Sequence, residues 1–276
     1  MSSIRALLGL GVTVLLCPSR AGAQDRLFPA VKSFELPEAS PRAYGLVARV
    51  LSIQRGESRF GAEQEAEVIL GENFPVVALK RGPRPIVLGI GSQAYGRFSL
   101  DDSKSALISL DWVAALNTTA LLGPWTVTFQ LYHESSHLGD EYADHFSAGR
   151  LDWTREVVAG WASYSSGALR LTGGASYVLD DELSLPRPGA AFGIDFGGHG
   201  HRAAAHTVEP VIGLYTEATS ATRWRLSSSA KLGLAFVGQG RPRLGLSLIA
   251  HDGLSTQRQF FREESRYIGV EVRVDL

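Results

Sequence analysis

Within Tyr132–Leu138 (YHESSHL), His133 and Ser135 are the residue types on which nucleophilic catalysis rests. A serine hydroxyl attacks poorly until a neighbouring histidine takes its proton. Side chains two residues apart share one face of an extended strand, so a strand here makes the two neighbours. Ser136, one residue on, points the other way. The same letters also read H-E-x-x-H, His133-Glu134-Ser135-Ser136-His137. On a helix that spacing sets two imidazoles one turn apart for zinc, with Glu134 as general base. The readings exclude each other, since the first needs a strand and the second a helix.

Carboxylates follow directly. Asp140, Glu141 and Asp144 sit in the segment after the stretch. Glu141 or Asp140 would orient His133, or the two would hold calcium, which takes oxygen ligands. His199, His201 and His206 fall in Gly198–Thr207, a Gly/Ala-rich turn rather than a metal patch.

The elements that must position these groups come from periodicity. Trp125, Val127, Phe129 and Leu131 alternate with Thr126, Thr128, Gln130 and Tyr132, the period-two mark of a strand with one apolar face. His133, Ser135 and His137 continue the apolar row. Similar alternation runs through 169–179, 224–236, 241–251 and 267–276. Twelve strands are expected near 44–54, 64–79, 85–100, 105–117, 125–138, 152–164, 167–179, 188–197, 206–217, 223–237, 241–252 and 266–276. Gln24–Arg42, with three prolines and no period, reads as an extended periplasmic lead-in.

Composition narrows the class. Met1–Ala23 has Arg5, an apolar run and the small triplet Ala21-Gly22-Ala23, the pattern of a cleaved secretory signal peptide. The single cysteine, Cys17, lies in it, so disulfides and cysteine metal sites are not expected in the mature chain. A lipid-modified Cys17 is the competing reading. Twenty-seven basic against 28 acidic residues lack the basic excess of a nucleic-acid binder. No later stretch is apolar enough for a membrane-spanning helix. Long strands, charges in mid-strand on the polar face and a secretion signal predict an all-β, antiparallel transmembrane β-barrel in a bacterial outer membrane, residues 44–276, rather than a soluble sandwich.

Topology follows by counting back from the last strand, which descends to the periplasm in such barrels. Strand five then ascends, 139–151 is an outer loop, and His133, Ser135 and His137 face lipid near the headgroups. On strand six the lipid face is read as Trp153, Arg155, Val157, Ala159 and Trp161. That face offers His133 no amide or carboxylate, which leaves only the loop acids.

His-x-Ser at the end of an outward-facing strand resembles outer-membrane phospholipase A and the lipid A deacylase of outer membranes. The resemblance implies cleavage of lipid acyl esters by Ser135 and His133 with Glu141 as third member. Its partners would be outer-membrane lipids or lipopolysaccharide, besides the barrel assembly machinery. Leu27-Phe28-Pro29 and the Ser135–Glu141 block (SSHLGDE) are similar to an uncharacterised family of outer-membrane proteins, a domain of unknown function, which implies a barrel and supplies no activity. The alternative is a structural or channel-type barrel whose lumen carries Arg225, Lys231, Arg243, Glu271 and Arg273. The zinc hydrolase stands last.

Overall fold

The computed structural model describes residues 26–29, 31, 34–56, 63–81, 84–101, 106–146, 148–197, 207–238 and 242–275. The leader, the 199–206 histidines and Leu276 lie outside them. Twelve strands make the barrel's antiparallel sheet: β1 Gly45–Arg55, β2 Gln64–Arg81, β3 Arg84–Ser99, β4 Leu107–Leu122, β5 Trp125–Leu138, β6 Trp153–Ser166, β7 Leu169–Asp181, β8 Pro188–Phe196, β9 Thr207–Thr219, β10 Ser227–Val237, β11 Arg243–Leu254 and β12 Glu264–Asp275, and a two-residue strand, Arg26–Leu27, adds to β2 at Val77 and Ala78. Each of the twelve pairs with the next, and β12 pairs with β1 (Val270 opposite Val50), which closes the barrel. Closure leaves no sheet edge to satisfy in lipid.

Its distribution of polarity is the reverse of a soluble protein's. Val50, Leu70, Leu116, Phe129, Leu214, Leu232, Leu248 and Val270 face outward and are exposed, while Glu65, Glu67, Arg97, Asp111, Asp195 and Glu271 are buried. Only a lipid surround makes that favourable, with polar groups paired inside and apolar ones solvated by acyl chains. This is a transmembrane β-barrel.

Ion pairs fill the interior. Arg49 joins Glu67 and Glu271, Arg97 reaches Glu67 at 2.8 Å, and Lys231 reaches Glu271 at 2.6 Å. Buried charges persist only when paired in this way. Of the residues expected in the lumen, Lys231, Arg243, Glu271 and Arg273 are there. Arg225 is not: it sits exposed beyond the end of β9 and pairs with Glu264.

Residues 34–43 run inside the barrel instead of forming a separate extension. Glu38 lies 3.3, 3.1 and 3.5 Å from Lys231, Arg243 and Arg273, and its amide donates to Asp195 (2.9 Å). Arg170 holds Glu35 (3.0 Å) and the Leu36 carbonyl (3.1 Å). Glu35 and Glu38 of the segment thus give these inward cations acceptors. Burial by itself would raise the Glu38 carboxyl, but Lys231, Arg273, Arg243 and Arg170 together hold it well below the usual carboxylate range.

Between β5 and β6 the expected loop contains a helix, α1 Asp140–Phe146. Tyr142 and Ala143 are buried against Ile108, Leu138 and Phe260. Gly139 permits the entry, because a β-carbon there would fall 1.8 Å from the Leu107 carbonyl oxygen.

Candidate functional site

Strand β5 settles the choice between the two local readings. Residues 133–137 are extended, so His133 and His137 are roughly 13 Å apart along the strand rather than one helical turn. Glu134 points inward, away from both. It accepts from Trp153 Nε1 (3.0 Å) and Arg258 Nε (2.9 Å) and lies 3.1 Å from Arg42. The zinc reading of His133, Glu134 and His137 fails on this geometry, and no group of three metal-binding side chains occurs among the described residues.

Outward on β5 stand Trp125, Val127, Phe129, Leu131, His133, Ser135 and His137, all exposed or half-exposed. Inter-strand register gives each its neighbours. Ser135 lies opposite Trp112 on β4 and Thr154 on β6, and His133 lies opposite Ala114 and Glu156. His133 Nδ1 is 3.1 Å from Glu156 Oε1, with the side chains 46% and 30% exposed. A proton on Nδ1, donated to Glu156, leaves Nε2 with its lone pair as the base. Ser135 Oγ has no hydrogen bond among the described residues. It is therefore available to a substrate, whereas Ser136 is buried and donates to Asp111.

The carboxylate at His133 is one that sequence reasoning missed. The lipid face of β6 is Thr154, Glu156, Val158 and Gly160, not Trp153, Arg155, Val157, Ala159 and Trp161, of which Trp153, Arg155, Val157 and Ala159 are buried inside. A signal for this existed. The two-residue turn at Gly167 (φ +56°) pairs Ser166 with Leu169 and Tyr164 with Leu171. Carried across that hairpin, the outward face of β7 puts Tyr164, Ala162, Gly160, Val158 and Glu156 outside. The register shifts at Glu156/Val157, so that Asp180 stands opposite Glu156 on the exterior while Asp181 turns inward. Bulges of this kind re-aim single side chains.

Glu141 and Asp140 do not reach His133. Leu138, the last residue of β5, is already roughly 17 Å along the strand from it. Asp140, on the first turn of α1, is ion-paired with Arg150. An apolar surface borders the outward groups: Trp112 and Leu116 on β4 and Phe129 on β5 are exposed.

The family described as "Protein of unknown function (DUF1207)" matches residues 31–275. Several solved structures resemble the chain. One is the outer membrane phospholipase of Salmonella typhi, solved as a dimer with bound calcium. It has 16% identity, 88% of this chain and 92% of that one covered, and a TM-score of 0.58. Outer membrane phospholipase A from Escherichia coli follows at 17% identity, 84% and 97% covered, TM-score 0.57. LpxR from Salmonella typhimurium, at 10% identity, 84% and 100% covered and TM-score 0.41, is too distant to build on. No curated protein matches the chain.

Proposed function

Because the chain belongs to the DUF1207 family and folds as a barrel of the outer-membrane type, we propose that it is a lipid acyl-ester hydrolase working on the barrel's exterior. The contact between His133 Nδ1 and Glu156 Oε1, on the face that carries Ser135, is the observation that supports it. Ser135 Oγ attacks the ester carbonyl carbon while His133 Nε2 takes its proton. Glu156 holds the imidazole tautomer and stabilises the imidazolium. Collapse of the tetrahedral intermediate breaks the ester C–O bond, and His133 returns the proton to the leaving alcohol. Water then hydrolyses the Ser135 acyl ester by the same exchange. Trp112, Leu116 and Phe129 give the acyl chain an apolar track, so the substrate never leaves the membrane. Phospholipid or lipopolysaccharide of the outer leaflet is the substrate class.

The similar Salmonella phospholipase dimer carries calcium. Asp140, the carboxylate that would hold it together with Glu141, is exposed and paired with Arg150. No step is assigned to calcium, and the assay supplies it as a variable. The test is acyl release from phospholipid and from lipopolysaccharide, with and without calcium. Ser135→Ala is expected to abolish it and Ser136→Ala to leave most of it. A wild type inactive on both lipids would reject the proposal.

A further inference from the structure

The lumen segment 34–43 has partners on β7, β8, β10, β11 and β12 through Glu35, Leu36 and Glu38. It also reaches the rest of the ring. The Pro41, Phe34 and Arg42 carbonyls accept from Arg49 on β1 (3.0 Å), Asn73 on β2 (3.1 Å) and Gln93 on β3 (3.2 Å). The Arg42 guanidinium lies 2.8 Å from Asp111 on β4 and 3.1 Å from Glu134 on β5. Phe34 stands against Trp161 on β6, with ring centroids 5.8 Å apart, and Ala39 against Gly213 on β9. A segment in contact with the whole circumference occludes the section it crosses. From the outer end, a cavity of ~170 Å3 runs from Ala221 and Arg225 down to Leu36, Ser40 and Arg42, where the segment stops it.

The wall is shaped to seat the segment. A β-carbon on Gly193 would fall 2.4 Å from Pro37 Cγ, and one on Gly213 3.1 Å from the Ala39 β-carbon. Neither position carries a side chain to fill the space that withdrawal of the segment would open. Its attachment is that of an insert and not of a strand. Among the described residues no backbone-to-backbone hydrogen bond joins it to the sheet, and none of the twelve strand pairings runs through it. Both flanks are tied to β2: the Phe28 amide donates to the Val76 carbonyl (2.9 Å), and Gly45 lies opposite Gly71. Gly45 has φ +149°, a conformation that favours glycine, and suits a hinge where the segment leaves the lumen. The barrel's ladder stays whole whether the segment is seated or withdrawn.

We infer that residues 34–43 are the plug of a pore. Seated, they shut the lumen to ions and small polar solutes; freed from the wall, they open it. This pore is separate from the exterior chemistry and does not rest on it.

Conductance of the purified full-length barrel in planar bilayers, with potassium chloride on both sides, tests this. The wild type is expected to be silent. Glu35→Ala combined with Glu38→Ala removes the carboxylates that hold the segment to Arg170, Lys231, Arg243 and Arg273. That variant should show discrete openings, with at least tenfold more open time than the wild type. Ala39→Cys with Gly213→Cys, added to it, pins the segment through β-carbons close enough for a disulfide. Openings should vanish once the crosslink has formed and return on reduction. Frequent openings in the wild type, silence in the glutamate variant, or openings unchanged by a formed crosslink would overturn the inference. Should the glutamate variant lose its heat-modifiable folded band, Gly193→Leu, which crowds Pro37 from its seat, takes its place, and silence there would overturn the inference as well.

Discussion

Strands β5 and β6 carry two sets of polar side chains one residue out of step, and the sets have opposite fates. Inside, Glu134 is buried under two arginines and an indole, and Ser136 is held by Asp111. Outside, Ser135 has no partner among the described residues, and His133 and Glu156 have each other, half-exposed on a surface otherwise built for lipid. The inner set stabilises the barrel, since each group satisfies another. The outer set gains the barrel little, because exposed pairs contribute at most about 1 kcal/mol. Polar groups on a lipid face cost free energy and call for another explanation, which chemistry supplies.

If that division holds, the largest effects come from the outer set and appear in rate alone. His133→Ala should reduce acyl release by roughly 10^4-fold or more, as loss of a base does in serine hydrolases. The heat-modifiable band of the folded barrel should not move. Glu156→Ala should cost roughly 10^2 to 10^4-fold, with His133 left in place but unoriented. Equal activity in Glu156→Ala would return the third role to another group.

The inner set should give the converse. Glu134→Ala strands Arg258 in the interior and takes from Arg42 one of its two carboxylate partners, a loss of roughly 3–5 kcal/mol. The folded band should disappear at a clearly lower temperature, and residual activity should track the folded fraction. Ser136→Ala, which deletes one hydrogen bond, should cost about 1 kcal/mol with little change in rate. A rate defect in Ser136→Ala out of proportion to its stability would break the comparison.

The smallest effect is a pH dependence confined to the lumen. The Glu38 carboxyl is held well below 4.5, the ordinary value for a glutamate, in the folded barrel. Its stabilising contribution is therefore complete above that value and is lost as pH falls through the lower folded value. Melting followed from pH 6 to pH 3 should show this loss, and Glu38→Gln should flatten the curve.

How much of this was legible in the sequence varies with the range of the forces involved. The faces of β5 and β7 were plain because leucines, phenylalanines and tyrosines alternate there with arginine, threonine and serine. The face of β6 was misread because Trp153, Val157 and Ala159 are apolar yet point inward, where Trp153 serves as a hydrogen-bond donor. Helix α1 is seven residues long, too short for periodicity, although Asp140 and Glu141 at its start and His145 at its end suit the helix dipole. The lead-in was opaque for another reason. Glu38 and Arg42 take partners on β4, β5, β10, β11 and β12, and nothing local announces such contacts.

One measurement bears most directly on the outward Ser135–His133–Glu156 set. The purified barrel is exposed in detergent, with calcium present, to a long-chain alkylphosphonate that reacts with activated serines. The adduct is then located by mass spectrometry. Modification should fall on Ser135 and not Ser136, and should be suppressed in both His133→Ala and Glu156→Ala. An unmodified Ser135, or a Ser135 adduct undiminished in both variants, would contradict a catalytic exterior.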